Sequence, residues 1–145
     1  MFPFRKLSVW RRAHALALLV HEITERNARG RYYSLINQMR RASASIPANI
    51  AEGSGQVTAP QFARYLTIAI GSARELDYHV LLAKDLGVLP LPDYARLSAR
   101  ADQLCGMLAV LRVRVLERAD RDSKSRVHRA RAVIPKSALR HPPSG

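Results

Sequence analysis

The stretch TAPQFARYLTIAIGSARELDYHVLLAKDLG, residues 58–87, contains a helix start, a helix body and a helix stop in one run. Thr58 followed by Gln61 three residues later is a capping box, and Pro60 lies in the first turn, where its missing N–H costs little. Apolar residues recur at three- and four-residue spacing up to Gly87, which is suited to ending a helix. The predicted core side of this helix comprises Phe62, Leu66, Ala69, Ile70, Ala73, Leu76, Val80 and Leu81.

Helical patterns also lie on both sides of this stretch. Upstream, a first helix is predicted over 8–29 with Ser8 as its N-cap, and a second over 33–53 with Gly53 as the residue that follows its last turn. Downstream, Pro92 suits the start of a fourth helix. The predicted buried face of the fourth helix comprises Tyr94, Leu97, Ala101, Leu104, Met107, Leu108, Leu111 and Val115.

The four segments predict an all-α fold. Their connections are short, which favours antiparallel neighbours and an up-down-up-down four-helix bundle over residues 1–118. Beyond this bundle the apolar periodicity is lost. We expect residues 119–145 to form a basic C-terminal tail, a helix extension that passes into disorder.

The charge balance is the strongest compositional feature. The chain has 24 Lys and Arg against 11 Asp and Glu, a net charge of +13, which favours polyanionic partners such as RNA or DNA. Helix-turn-helix spacing and zinc-finger ligands are absent from the sequence, so we expect phosphate contacts with little sequence specificity. The candidate nucleic-acid-binding residues are Arg5, Lys6, Arg11, Arg12, Arg26, Arg29, Arg31, Arg96, Arg100, Arg112, Arg114, Arg121, Lys124, Arg126, Arg129 and Arg131.

Membrane and disulfide-stabilised classes do not fit the sequence. No apolar run approaches the ~20 residues that span a bilayer. The single cysteine, Cys105, lies in the apolar run LCGMLAVL and is expected to be a buried, inert thiol. We therefore expect a cytoplasmic protein with no membrane partner.

The stretch RRASASIPANIAEGSG, residues 40–55, places polar groups inside the second helical pattern. Pro47 removes a backbone hydrogen bond there, so it is expected to bend the helix or to divide it into two pieces. Charged groups among apolar neighbours are normally paired, which predicts an ion pair between an arginine and a glutamate, with an asparagine completing it. The predicted polar network comprises Arg40, Arg41, Asn49, Glu52 and Glu75.

Catalytic and metal-binding hypotheses have little support. Glu75 and His79 are four residues apart, whereas di-iron bundles use Glu-x-x-His, so no metal and no cofactor is expected. Arg74 and His79 form an Arg-x4-His pattern that resembles the motif of HEPN-type helical ribonucleases, with the histidine as general acid or base. Chance gives such a match readily in an arginine-rich chain, and His79 is expected at the surface or at an interface. We expect the protein not to be an enzyme, with the ribonuclease as an alternative.

Three motifs in order carry a family resemblance. FRKLSVWRRAHALA, LINQMRRASASIPANIAEGSG and QFARYLTIAIGSARELDYHVLLAKDLGVL, within residues 4–117, together resemble the four-helix bundle proteins named for the 23S ribosomal RNA intervening-sequence protein. Relatives of that family are accessory proteins of diversity-generating retroelements, where they form a basic pentamer that binds nucleic acid and a reverse transcriptase. The segment before the second helix departs from the family pattern, since RNARGRYYSLINQ is basic and lacks proline.

The resemblance implies a four-helix bundle and a homo-oligomer, with a pentamer as the expected form. It also implies nucleic-acid association and a partner such as a reverse transcriptase or another nucleic-acid enzyme. Our main hypothesis is a non-enzymatic oligomeric bundle that binds RNA or DNA through arginine-rich surfaces and scaffolds a partner. The alternative is a structural or protein-interaction module that does not bind nucleic acid.

Overall fold

A computed structural model describes residues 3–27 and 30–133. A short 3-10 helix, Phe4–Lys6, precedes four α-helices, and no strand occurs in these two ranges. The helices are α1 (Ser8–Asn27), α2 (Tyr33–Ser54), α3 (Ala59–Asp85) and α4 (Leu91–Val133). The predicted all-α class and the number of helices are confirmed.

The helices form an antiparallel four-helix bundle. Each helix packs against the next along the chain, α4 also packs against α1, and the two diagonal pairs do not approach each other. The core is aliphatic, and each large side chain buried in it contributes about 1.5–3 kcal/mol. The largest fully buried side chains include Leu16, Ile23, Met39, Ile46, Ile50, Leu66, Leu76, Leu97 and Leu108.

Both predicted ends of α3 are confirmed. Thr58 Oγ1 accepts a hydrogen bond from the Gln61 N–H at 3.3 Å, and Gln61 Oε1 accepts one from the Thr58 N–H at 3.3 Å. At the other end Gly87 has φ +75°, the left-handed conformation that glycine adopts at little cost. Within the helix, Leu81 is 37% exposed and lies at the edge of the predicted core side.

The prediction that Gly53 follows the last turn of α2 is wrong, both in where the helix ends and in why a glycine occurs there. Gly53 is a buried residue inside the helix, which continues to Ser54. A Cβ at Gly53 would lie 2.6 Å from Tyr65 Cβ, so this glycine permits the close approach of α2 and α3. Pro47 is also buried within α2, which continues past it as one helix.

The predicted N-cap of α1 is wrong by one residue. Ser8 is the first helical residue, and the carbonyl of Leu7 accepts the first helical hydrogen bond, from the Arg11 N–H at 3.1 Å. The residue that precedes the helix is therefore apolar. At the other end of α1, Arg29 lies outside the described residues.

The fourth helix extends beyond the bundle. Val115 is the last residue of α4 that packs as a partly buried hydrophobic against the core, and every residue from 120 to 133 is exposed. We call residues 116–133 the overhang; at 1.5 Å per residue it is about 27 Å long. The predicted boundary between residues 118 and 119 falls inside this continuous helix, whereas the predicted disorder at 134–145 lies outside the described residues.

Candidate nucleic-acid interface

One end of the bundle brings together the start of α1, the turn between α2 and α3, and the overhang. Leu7 and Ser8 line a cavity with Met107 and Leu111 of α4. A second cavity, of about 760 Å³, lies between the overhang and the α2–α3 turn, where Val57 is 97% exposed. This end therefore presents a concave surface beside a protruding helix.

A stripe of arginines runs from the last bundle turns of α4 into the overhang. Arg114, Arg118, Arg121 and Arg129 recur at four, three and eight residues, which places them on one side of a helix with a period of 3.6. All four are exposed. We call these four residues the arginine stripe; two of its members, Arg114 and Arg118, also line the 760 Å³ cavity.

The acidic residues of the overhang only partly offset this charge. The segment contains six Lys and Arg against three carboxylates, Glu117, Asp120 and Asp122. Asp120 forms an ion pair with Lys124, whose Nζ lies 2.7 Å from Asp120 Oδ2, so these two charges offset each other. The stripe is therefore a region of net positive charge on a solvated helix.

The residues predicted in the N-terminal segment lie at the same end, and part of their charge has a structural role. Arg5 and Lys6 are exposed in the 3-10 helix. Arg11 Nη1 donates to both of their carbonyls, at 3.1 and 3.0 Å. The guanidinium of Arg5 lies 5.3 Å from the ring centroid of Phe4. Arg5 and Lys6 thus remain available to a polyanion, whereas Arg11 holds the segment against α1.

Arg12 and Arg100 meet between α1 and α4. Both line a cavity of about 270 Å³ whose other lining residues include Gln103, Leu104 and Met107. The sequence predicts both arginines as candidates but does not show that they are neighbours, because their juxtaposition depends on the packing of the first and last helices.

Four predicted arginines do not join this surface. Arg26 lies 3.8 Å from Asp93 at the opposite end of the bundle, and Arg31 lies over the ring of Tyr32. Arg96 is exposed near the start of α4, and Arg112 donates to Thr67 Oγ1 at 3.1 Å. Their charge is distributed away from the arginine stripe.

Two further predicted residues, Arg126 and Arg131, lie on the overhang outside the stripe; Arg126 lines the 760 Å³ cavity. Arg118 is not among the residues predicted from the sequence, although its spacing of four from Arg114 is a usable signal. That signal has meaning only once the segment is assigned to a helix and not to a tail.

The predicted polar network does not form as one unit. Arg40 Nε donates to Thr24 Oγ1 of α1 at 2.9 Å, and Asn49 donates to the Ser45 carbonyl of its own helix at 2.8 Å. Arg41 and Glu75 line one cavity of about 390 Å³ but make no ion pair within 4.0 Å. The prediction is wrong because Thr24, a buried hydroxyl on a neighbouring helix, provides the partner that a glutamate was expected to supply.

Glu52 has a different partner. Its Oε1 accepts a hydrogen bond from the Tyr65 hydroxyl at 3.1 Å across the α2–α3 contact. This hydrogen bond, followed by the carboxylate's charge, raises the pKa of Tyr65 above its usual value. The predicted polar residue therefore links the two helices beside Gly53.

His79 is buried instead of lying at the surface. It is 9% exposed, its Nε2 lies 3.3 Å from Glu75 Oε1, and its buried Nδ1 has no hydrogen-bond partner among the described residues. Arg74 is exposed on the same helix. His79 does not lie at the surface of the chain, because α3 packs against both α2 and α4. The alternative expectation, a position at an interface, stays a prediction.

The remaining reactive groups form no cluster. No group of three His, Cys, Asp or Glu side chains suited to a metal ion occurs in the described ranges. Burial raises the pKa of the partly buried Cys105 thiol, which lowers its thiolate fraction. No described helix is long and apolar enough to cross a membrane.

The fold and this surface define a small all-α protein of the four-helix-bundle class with an arginine-rich end. A family model described as 23S rRNA-intervening sequence protein matches residues 5–110, most of the chain. The chain belongs to that family, as its three motifs predicted. The match ends within α4, so the arginine stripe lies beyond it. No curated protein matches the chain in sequence.

Proposed function

We propose that the protein is a non-enzymatic helical bundle that binds RNA or DNA through the arginine stripe and the adjoining N-terminal segment. The observation that carries the proposal is a helix of about 27 Å that leaves the bundle with arginines along one side. The family name, which refers to an intervening sequence of ribosomal RNA, supports a nucleic-acid partner loosely.

The stripe is difficult to explain by folding alone. Residues 120–133 are all exposed, so they gain little from burial. Arg114 and Arg118 of the stripe are like charges spaced four residues apart, which costs about 0.2–0.5 kcal/mol. A helix adapted only to solvent gains from pairing its charges, yet the overhang, which the structure describes throughout, contains one ion pair, between Lys124 and Asp120. Neutralisation by phosphates gives the other arginines a favourable role.

Binding through the arginine stripe would rely on contacts to phosphates and would have little base specificity. Arginine pairs well with phosphate oxygens, and contacts to phosphates position a protein on nucleic acid without selecting a sequence. We propose that the protein acts in the cytoplasm and tolerates many sequences in its nucleic-acid partner.

The test is equilibrium binding of fluorescent mixed-sequence RNA and DNA over a range of salt concentrations. The variant Arg118→Gln, Arg121→Gln, Arg129→Gln removes three charges from the stripe. The matched control Arg31→Gln, Arg64→Gln, Arg96→Gln removes three exposed charges elsewhere. We expect the stripe variant to bind at least about tenfold more weakly, with a salt slope smaller by about 0.7–0.9 for each phosphate that it no longer neutralises.

Two results would contradict the proposal. One is the absence of binding at low salt by the parent protein. The other is an equal loss of affinity in the stripe variant and the control, which would assign binding to net charge and not to this surface.

The absence of enzymatic activity is part of the proposal. His79 Nε2 is within hydrogen-bond distance of Glu75 Oε1, and the residue is 9% exposed. Both features disfavour access of its ring to RNA. Incubation of labelled RNA with the parent and with His79→Ala tests the alternative. Cleavage by the parent that is lost in the variant would establish a ribonuclease and overturn this part of the proposal.

We further propose a homo-oligomer, with the pentamer implied by the family resemblance as its form, and a scaffolding role toward a reverse transcriptase or another nucleic-acid enzyme. Large exposed side chains support assembly: Leu18, Tyr33, Tyr78 and Leu91 are exposed by 59, 67, 59 and 66%. Light scattering at several concentrations, with and without RNA, measures the state. A monomer under all of these conditions would contradict assembly.

A further inference from the structure

A groove runs between α1 and α4 beside the arginine-rich end. It consists of two cavities of about 270 and 380 Å³ that share Met107 as a lining residue. We call it the α1–α4 groove and define it by Arg12, Arg100, Gly106, Met107, Val110 and Arg114. Its floor is apolar, and Val110 is 51% exposed there.

The charge of the groove has one sign. Arg12 and Arg100 line one end and Arg114 lines the other, and no carboxylate of the described residues lines either cavity. An occupant that places acidic groups at both ends and apolar groups between them complements this surface. Basic or neutral polar occupants do not.

Gly106 is a second indication of an external partner. It lies inside α4, where glycine costs about 1 kcal/mol relative to alanine. A Cβ at this position would meet nothing within 4 Å, so no contact within the described part of the protein requires glycine. Because Gly106 lines the groove, its missing side chain permits the backbone of an occupant to approach α4 closely.

Alternative occupants fit less well. Within residues 3–27 and 30–133 no aromatic side chain lines the two cavities, whereas single-stranded nucleic acid is usually held by bases stacked on aromatic rings. A second copy of this chain offers few acidic groups to a basic groove, since the chain has 11 Asp and Glu against 24 Lys and Arg.

We propose that the α1–α4 groove binds an amphipathic helix of a partner protein whose apolar stripe is flanked by Asp and Glu. The apolar side chains of that helix pack on Met107 and Val110, its backbone passes over Gly106, and its carboxylates pair with Arg12, Arg100 and Arg114. Binding of an amphipathic helix in a groove is a recurring mode of recognition. The proposal rests on the scaffolding part of the proposed function and not on nucleic-acid binding.

The test uses the full chain and a labelled, end-capped peptide of about 18 residues, with leucines at helical spacing flanked by glutamates. A peptide of the same composition with scrambled order is the control for charge alone. In Gly106→Leu a side chain enters the groove, whereas Gly71→Leu changes an equally open helical glycine on α3. We expect about a tenfold weaker affinity for the scrambled peptide and for Gly106→Leu, and no change for Gly71→Leu.

A charge-reversal pair gives a second measurement. Arg100→Glu changes the groove, and Arg64→Glu makes the same change at an exposed position on α3. We expect Arg100→Glu alone to weaken peptide binding, by about tenfold, because it places like charges against the peptide. Neither variant needs a rearranged core, since both side chains are exposed.

Several results would overturn the proposal: no binding of the ordered peptide, equal binding of the scrambled peptide, or equal affinity in Gly106→Leu and Gly71→Leu. A loss of RNA affinity in Gly106→Leu as large as the loss of peptide affinity would make nucleic acid the occupant. Conversion of an oligomer to a monomer by Gly106→Leu would make a second copy the occupant. Failure of the arginine stripe to bind RNA would leave the peptide result unaffected.

Discussion

Gly53 and Gly71 are both helical glycines, but their surroundings differ. A Cβ at Gly53 would lie 2.6 Å from Tyr65 Cβ and 2.9 Å from Phe62 Cδ2, whereas a Cβ at Gly71 would meet nothing within 4 Å. The same substitution therefore has opposite consequences at the two positions.

We expect Gly53→Ala to destabilise the fold by about 1–2 kcal/mol, since overpacking costs about 1–3 kcal/mol and the helix preference of alanine returns less than that. We expect Gly71→Ala to stabilise it by about 0.5–1 kcal/mol. Denaturant unfolding measures both values. A Gly53→Ala protein as stable as the parent would show that α2 and α3 can separate at this contact at no cost.

The Tyr65–Glu52 hydrogen bond predicts a pH dependence at the same contact. The pKa of Tyr65 is raised in the folded state. The pair's contribution to stability is therefore complete below the unfolded pKa of about 10 and is lost as the pH rises through the folded pKa. We expect Glu52→Gln to lower the pKa of Tyr65, as measured by tyrosinate absorbance with Tyr65→Phe as the reference. Glu117→Gln is the control, and an equal effect of both variants would contradict the assignment.

At the scale of elements, features determined by nearby residues could be predicted from the sequence, whereas features determined by contacts with another helix could not. The ends of α3 were predictable because the capping box and Gly87 act within a few residues of the chain. The end of α2 was not, because Gly53 is required by side chains of α3. The partner of Arg40 could not be predicted for the same reason, since Thr24 belongs to another helix.

The length of α4 was available from the sequence in part. No proline occurs between Pro92 and Pro135, and Gly106 is the only glycine in that stretch. The loss of apolar periodicity in the tail, residues 119–145, predicts the end of the ordered bundle, although a solvated helix needs no apolar side. That prediction prevents recognition of the arginine stripe, because the spacing of the arginines places them on one side only if the segment is a helix.

The overhang yields a prediction for the whole element. We expect a chain ending at residue 118 to keep its thermal midpoint within a few degrees of the parent, because residues 120–133 are all exposed. We expect the same chain to bind RNA much more weakly, since two arginines of the stripe are removed. Scanning calorimetry and binding assays measure the two effects. A large fall in the midpoint would show that the overhang supports the bundle, contrary to its exposure.

At the scale of the whole molecule, the basic residues fall into two groups: some have structural partners within the bundle, and others lie on exposed surfaces. Arg26 and Arg112 have partners within the bundle, and Arg11 holds the N-terminal segment. Other basic residues gather at one end and along the α1–α4 groove. Composition alone predicts an affinity for polyanions. The structure is needed to place the arginine stripe along α4 and the α1–α4 groove beside it, the two surfaces for which we propose different partners.

The continuity of α4 also sets a geometry. The distance between two groups joined by a flexible linker varies widely. A helix fixes that distance at 1.5 Å per residue along its axis. A strand bound at Arg129, as we propose, would therefore lie about 35 Å along that axis from Gly106, a spacing of 23 residues. The length of α4 would then set the distance between the nucleic acid and the partner helix in the α1–α4 groove. Inserting or deleting residues in the overhang would change that distance.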